Sequence, residues 1–196
     1  MPLQNRVQPT GEILAHPARG AFLGNRGVLH DDQRQLGKAR WKHKAWVCCV
    51  TRFKGRRRVP MTPNRYTELF FHDEAVALAA GHRPCCECRR SDFFAFLDAA
   101  GHEGKVGAFD AELHAARAVP RVFRQRRHEA MAQDLPDGAF VMTEQGAALI
   151  SGDAVFPFSP TGYSAAFKRP FGAVTVLTPA PTLTALRNGY LPRIVR

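Results

Sequence analysis

The sequence predicts an α+β fold: short antiparallel strands with three to four helices, followed by a β-meander. Three observations lead there. Short apolar runs rich in β-branched and aromatic residues, such as Ala45-Trp46-Val47-Cys48-Cys49-Val50, have the character of strands. Segments between Asp73 and Ala118 carry apolar residues at helical spacing, with recognisable starts and stops. Beyond Pro136, strand-like runs are separated by the tight-turn pairs Gln145-Gly146 and Gly152-Asp153.

Each element follows from local chemistry. Residues 1–45 are rich in Gly, Pro, Arg and His, show little periodicity, and read as loops and turns. Ala45 to Phe53 reads as a strand, Lys54-Gly55 as a turn, and Arg56 to Val59 as a returning strand that ends at Pro60. Thr67 to Phe71 is a further short strand. Asp73 is placed to cap a helix through Ala75, Val76, Leu78 and Ala79, and Gly81 supplies the left-handed residue that ends it. Ser91 caps a second helix, Asp92 to Ala100, with an apolar face of Phe93, Phe94, Phe96 and Leu97. A third runs from about Ala108 to Ala118 and stops before Pro120; the basic segment Arg121 to His128 continues as a fourth. Strands then follow at Ala139 to Thr143, Ala147 to Ser151 and Ala154 to Phe158, and a short terminal helix at Pro181 to Arg187. The expected organisation is an α+β region over 1–135 with the meander region 136–196 packed on it as one compact unit.

With 196 residues, 45% of them hydrophobic, the chain is long and apolar enough for a buried core. A net charge of +11 is high for this size and points to a polyanionic partner, nucleic acid ahead of an anionic membrane. No stretch approaches the roughly 18 apolar residues of a membrane helix, and the first thirty residues hold no signal-peptide core, so the protein is expected in the cytoplasm without membrane contact. There the five cysteines stay reduced, which favours metal or thiol chemistry over disulfides.

Cys85 and Cys88 have the C-x2-C spacing that presents two thiolates from one tight turn to a tetrahedral zinc ion. Cys48 and Cys49 on the predicted strand are the nearest other thiolates. Strand side chains alternate, so one of the two faces the site, and Cys49 is the better candidate. The fourth ligand is His72, His82, His43 or a water. The competing readings are small buried core cysteines and a redox C-x2-C.

The segment from Phe70 through Asp73 and Gly81-His82-Arg83-Pro84 to Cys85-Cys86-Glu87-Cys88 resembles the second half of the zinc-binding domain of the Ada DNA-repair family. That family has a strand, an Ala-rich helix ending in Gly, and an Arg-Pro-Cys-x-x-Cys turn. The resemblance covers about twenty residues. It implies a zinc-stapled domain with Cys85 and Cys88 as ligands, and a thiolate that takes a methyl group from a DNA phosphotriester. Where that family has a C-x3-C first pair, this chain has adjacent Cys48 and Cys49. The rest of the chain resembles bacterial proteins of unknown function that share the opening Leu-Gln-Asn-Arg and the central cysteine turn.

Arg56, Arg57 and Arg58 on the predicted hairpin, with Arg83, Arg89 and Arg90 around the cysteine turn, are the expected phosphate contacts, to DNA ahead of RNA. Arg121, Arg124, Arg126 and Arg127 form another cluster, and Trp41, Trp46 and Phe53 are either core residues or stacking platforms. His30-Asp31 and Ser159 to Tyr163 read as ordinary turns. Phosphate-loop, dinucleotide and Gly-x-Ser-x-Gly patterns are absent, which excludes the usual ATP, NAD and serine-hydrolase chemistry. The expectation is a zinc-binding, nucleic-acid-interacting protein of the DNA-repair type. The alternatives are a zinc- or cysteine-dependent enzyme acting on nucleic acid or damaged nucleotides by hydrolysis or alkyl transfer, and a structural-zinc domain for a small molecule or protein partner.

Overall fold

The run Ala147-Ala148-Leu149-Ile150 offers no polar residue to either side, so it suits only a strand covered on both faces. That requirement sets the layering seen in the structure, a computed structural model describing residues 1–56, 59–102 and 106–195. In chain order the elements are β1 (Gln4–Val7), β2 (Ile13–Ala15), β3 (Phe22–Asn25), β4 (Val47–Val50), β5 (Leu69–Phe71), α1 (Glu74–Ala79), β6 (Arg83–Pro84), α2 (Arg90–Ala99) and α3 (Val106–Arg117). There follow β7 (Ala118–Val119), β8 (Arg124–Gln125), β9 (His128–Met131), β10 (Phe140–Thr143), β11 (Gly146–Ser151), β12 (Ala154–Ser159), β13 (Gly162–Tyr163), β14 (Phe167–Lys168), β15 (Ala173–Val176) and α4 (Ala180–Arg187).

The fold is α+β. A first sheet has the order β2-β1-β5-β3-β4-β6, and a second the order β13-β12-β11-β10-β15-β9 with β14 also on β12. Alternation along β10 and β11 divides the core. Val141, Ala148 and Ile150 pack with Phe93, Phe96, Phe109, Leu113 and Leu183 of the helices. Phe140, Ala147 and Leu149 pack on the other side with Val76, Phe71, Cys48 and Val7. The second sheet is thus the middle layer, with α2, α3 and α4 on one face and α1 and the first sheet on the other. Both clusters draw side chains from before and after residue 135.

Helix α1 begins where Asp73 accepts a hydrogen bond from the Val76 N–H at 2.9 Å, and it ends before Gly81, whose φ of 84° suits glycine. The strands β10, β11 and β12 fall on the strand-like runs read from the sequence. Other expectations are corrected. Residues 1–45 hold three strands, not loops alone. The first sheet is mixed: β1 runs parallel to β5 and β6 parallel to β4. Arg121 to His128 is not a helix. Arg121 and Phe123 have φ of 66° and 52°, which no right-handed helix accommodates, and the chain forms the β7-β8 hairpin and then enters β9. Of the expected returning strand, Arg56 and Val59 lie in irregular structure, and Arg57 and Arg58 lie outside the described residues.

Gly24 pairs with Cys48 across β3 and β4, and a Cβ there would fall on the Phe71 ring edge. Gly24→Ala is expected to cost about 1–3 kcal/mol through overpacking, read as a lower midpoint in urea unfolding.

Candidate metal centre

The site is built from two short backbone pairings. β6 lies parallel to β4, with Arg83 opposite Val47 and Pro84 opposite Cys48. The Cys85 N–H donates to the Cys48 carbonyl at 3.0 Å, which seats the cysteine turn on the end of β4. The Arg89 N–H donates to the Cys85 carbonyl at 3.0 Å and leads into α2. The turn is therefore clamped on one side by a strand and on the other by a helix.

In this frame the sulfurs of Cys49, Cys85 and Cys88 lie within 4.8 Å of one another, all half-buried. Zinc–sulfur bonds of about 2.3 Å at tetrahedral angles need sulfurs about 3.8 Å apart, so the donor set fits a zinc ion after small side-chain adjustment. The donors are also chemically prepared. Cys85 is lowered to about 5 by a hydrogen bond from the Cys49 thiol, against burial, with the Cys88 and Glu87 N–H groups also donating to it. Cys49 is raised by donating to Cys85 and by burial. Cys88 is raised by burial, while the Val50 N–H donates to its sulfur. One thiolate and two thiols thus face a common point in the metal-free chain.

Cys48 points the other way. It is fully buried in the core, where burial raises its pKa and the Arg89 Nη1 donates to its sulfur at 3.5 Å. Cys86 is exposed. The histidines considered as fourth ligand are elsewhere. His82 is buried with Nε2 accepting from Arg26 at 3.1 Å; His72 contacts the Val195 carbonyl at 3.1 Å; the His43 carbonyl accepts from the Trp46 indole at 2.9 Å. Among the described residues no histidine or carboxylate joins the three sulfurs.

The arginines separate into two kinds. Arg83 is buried and makes a two-pronged ion pair with Asp110, both bonds at 2.7 Å. Arg89 is buried against Glu74 at 2.6 Å and Asp92 at 2.9 Å, with Phe22 beneath its guanidinium. Both groups are turned inward and brace the turn rather than face a ligand. Arg90 is exposed over Phe94, and Arg56 is exposed in a surface pair with Glu87 at 2.8 Å. Arg52 and Lys54, also exposed, follow β4.

Sequence reasoning did not anticipate the buried network around Glu74, which also takes the Tyr190 hydroxyl at 2.6 Å. Its one local signal is Glu74 in a first helical turn, which occurs equally at solvated positions. The His30 ring is satisfied by Thr67 at 2.7 Å, and Tyr163 donates to Asp73 at 2.7 Å, so both serve the fold. No family model, curated protein or solved structure matches this chain. Among the described residues no helix is long and apolar enough to cross a membrane.

Proposed function

We propose that the protein holds one zinc ion on Cys49, Cys85 and Cys88 and contacts nucleic acid, DNA ahead of RNA, as a module of the DNA-repair type. The convergence of three sulfurs from two remote segments carries this reading. Zinc with three thiolates has net charge −1, and a cytoplasmic, reducing setting keeps the thiolates available. Arg52, Lys54, Arg56 and Arg90 form an exposed basic rim on the segments that carry the ligands. The Arg56–Glu87 pair is about half exposed on both sides and weak enough for a phosphate to replace the carboxylate. The zinc fixes the turn, and the rim supplies the phosphate contacts.

A second reading is favoured by the donor count. Three protein ligands leave the fourth position to water or a substrate atom, as in catalytic rather than structural zinc sites. The chain would then act as a hydrolytic or alkyl-transfer enzyme on nucleic acid.

Metal content of the natively purified chain is expected at one zinc per molecule. A fluorescent DNA duplex titrated at rising salt is expected to lose affinity linearly in log–log form, by about 0.9 per phosphate contacted. A metal-free chain removes the zinc. Salt-insensitive binding, or none, removes the nucleic-acid part.

A further inference from the structure

A second constellation stands apart from the cysteine turn, where the β7-β8 hairpin meets the N-terminal segment and the loop before β4. A cleft of about 680 Å³ opens there, within the range of small-ligand sites. Its walls carry Arg40, Phe123, Arg124, Arg126 and Arg127, against one carboxylate, Glu12. None of the four arginines forms an ion pair among the described residues. Arg40 and Arg126 are fixed by backbone carbonyls, Arg40 on Gly37 at 2.5 Å and Arg126 on Ala115 at 3.1 Å. Arg124 and Arg127 are exposed, and among the described residues neither side chain has a hydrogen-bond partner. Two cations are therefore anchored and two are free to close on an anion.

The aromatic wall is equally specific. Phe123 is held at φ 52°, a left-handed conformation uncommon for an aromatic residue, and Arg121 beside it at 66°. Such strain persists where surrounding contacts enforce it, often at ligand sites. Here the Phe123 ring is set edge to face on Trp41 at 4.9 Å, and Trp41 lies 5.3 Å from Trp46. Behind Trp46 sit two buried guanidinium groups, Arg26 at 4.2 Å and Arg117 at 4.0 Å from the ring centre. They bond to the carbonyls of Ala80, Gly81 and Lys44 and to the His82 ring, and among the described residues to no carboxylate. Asp110, which acts on Arg117 at a distance, is already neutralised by Arg83. Unbalanced positive charge behind a low-dielectric aromatic wall strengthens the attraction of the cleft for anions.

We propose that this cleft binds a nucleotide unit of single-stranded nucleic acid, with phosphates on Arg124 and Arg127 and an unpaired base against Phe123. A base reaches an aromatic side chain in this way only when it is unpaired, which selects a single strand over a duplex. The inference rests on the nucleic-acid part of the proposed function and is independent of the zinc.

The test is a fluorescence-anisotropy titration of the full, metal-loaded chain with a labelled single-stranded DNA oligonucleotide across a salt series. The variant Arg124→Ala/Arg127→Ala is expected to lose affinity about tenfold or more and to flatten the salt slope by about 1.4, at about 0.7 per lost contact. Phe123→Leu is expected to lose about tenfold with the slope unchanged, because stacking releases no counterions. Arg124→Lys, which keeps the charge, should keep the slope, separating a phosphate contact from a folding effect. If Arg124→Ala/Arg127→Ala binds like wild type while Arg56→Ala/Arg90→Ala does not, the cleft is overturned and the nucleic-acid reading stands. If wild type binds the duplex but no single strand, the cleft falls and the nucleic-acid reading stands; if it binds neither, both fall. Displacement of the oligonucleotide by an equal concentration of mononucleotide would overturn the strand in favour of a free nucleotide.

Discussion

Glu74→Ala is expected to lower the stability of the protein by about 3–5 kcal/mol, because it leaves a buried cation without its principal partner. The Glu74 side chain is wholly buried. Its Oε1 accepts from Arg89 and from the Tyr190 hydroxyl, each at 2.6 Å, and its Oε2 accepts from the Arg193 N–H at 3.0 Å. The Glu74 N–H in turn donates to the Arg193 carbonyl at 3.1 Å. One carboxylate thus joins the start of α1, the start of α2 and the segment after α4. After truncation, Arg89 keeps Asp92, which is partly solvated, the soft Cys48 sulfur and a long bond to the Tyr190 hydroxyl. Glu74→Gln keeps the shape and part of the hydrogen bonding, and should cost less, about 1.5–3 kcal/mol. Urea unfolding separates the cases: a shifted midpoint at unchanged slope is a loss of stability. A loss below about 1 kcal/mol for Glu74→Ala would mean that water enters and replaces the carboxylate. Because Arg89 also anchors the Cys85 carbonyl, the same variant should hold zinc less tightly.

The legibility of this network and of the rest of the fold depended on whether a residue's partner was local. Helix α1 was readable because its cap, its apolar run and its terminal glycine lie within nine residues, from Asp73 to Gly81. The hairpins β10-β11 and β11-β12 were readable for the same reason, with turn pairs between short strand-like runs. β1, β2 and β3 were not. They are three or four residues long, too short for a pattern to stand out; β1 and β3 pair with β5, which lies far along the chain, and among the described residues β2 is an edge strand held by β1 alone. The arginines failed in an instructive way. An arginine beside a cysteine turn looks the same in sequence whether it faces a phosphate or a buried carboxylate. For Arg83 and Arg89 the deciding partners, Asp110 and Glu74, stand 27 and 15 residues away. Strand alternation, by contrast, needs no distant partner, and it separates Cys49 at the cluster from Cys48 in the core.

Cys49→Ser, Cys85→Ser and Cys88→Ser are each expected to give a chain without zinc, whereas Cys48→Ser and Cys86→Ser keep one zinc per molecule. The contrast between Cys48 and Cys49 is the sharper, since the two are adjacent in sequence and differ only in the face of β4 they occupy. Cys48→Ser buries a hydroxyl in the core and should cost about 1–3 kcal/mol of stability without loss of metal. A ligand variant loses zinc itself, and with it the binding free energy that supports the folded turn, about 10 kcal/mol or more for a structural zinc site. Proton release gives an independent check. In the metal-free chain Cys85, held near 5 by the Cys49 thiol and by the Cys88 and Glu87 N–H groups, is ionised at neutral pH. Cys49 and Cys88 are raised and stay protonated. Zinc binds only thiolates, so binding at pH 7 should release about two protons, and log affinity should rise by about two for each pH unit above 5. Below that point Cys85 is protonated too, the release rises toward about three, and affinity falls more steeply with acid. Calorimetry of zinc binding in buffers of different ionisation enthalpy counts these protons. Three released at pH 7 would mean that Cys85 is not ionised in advance, and none would mean that the thiols are not the ligands.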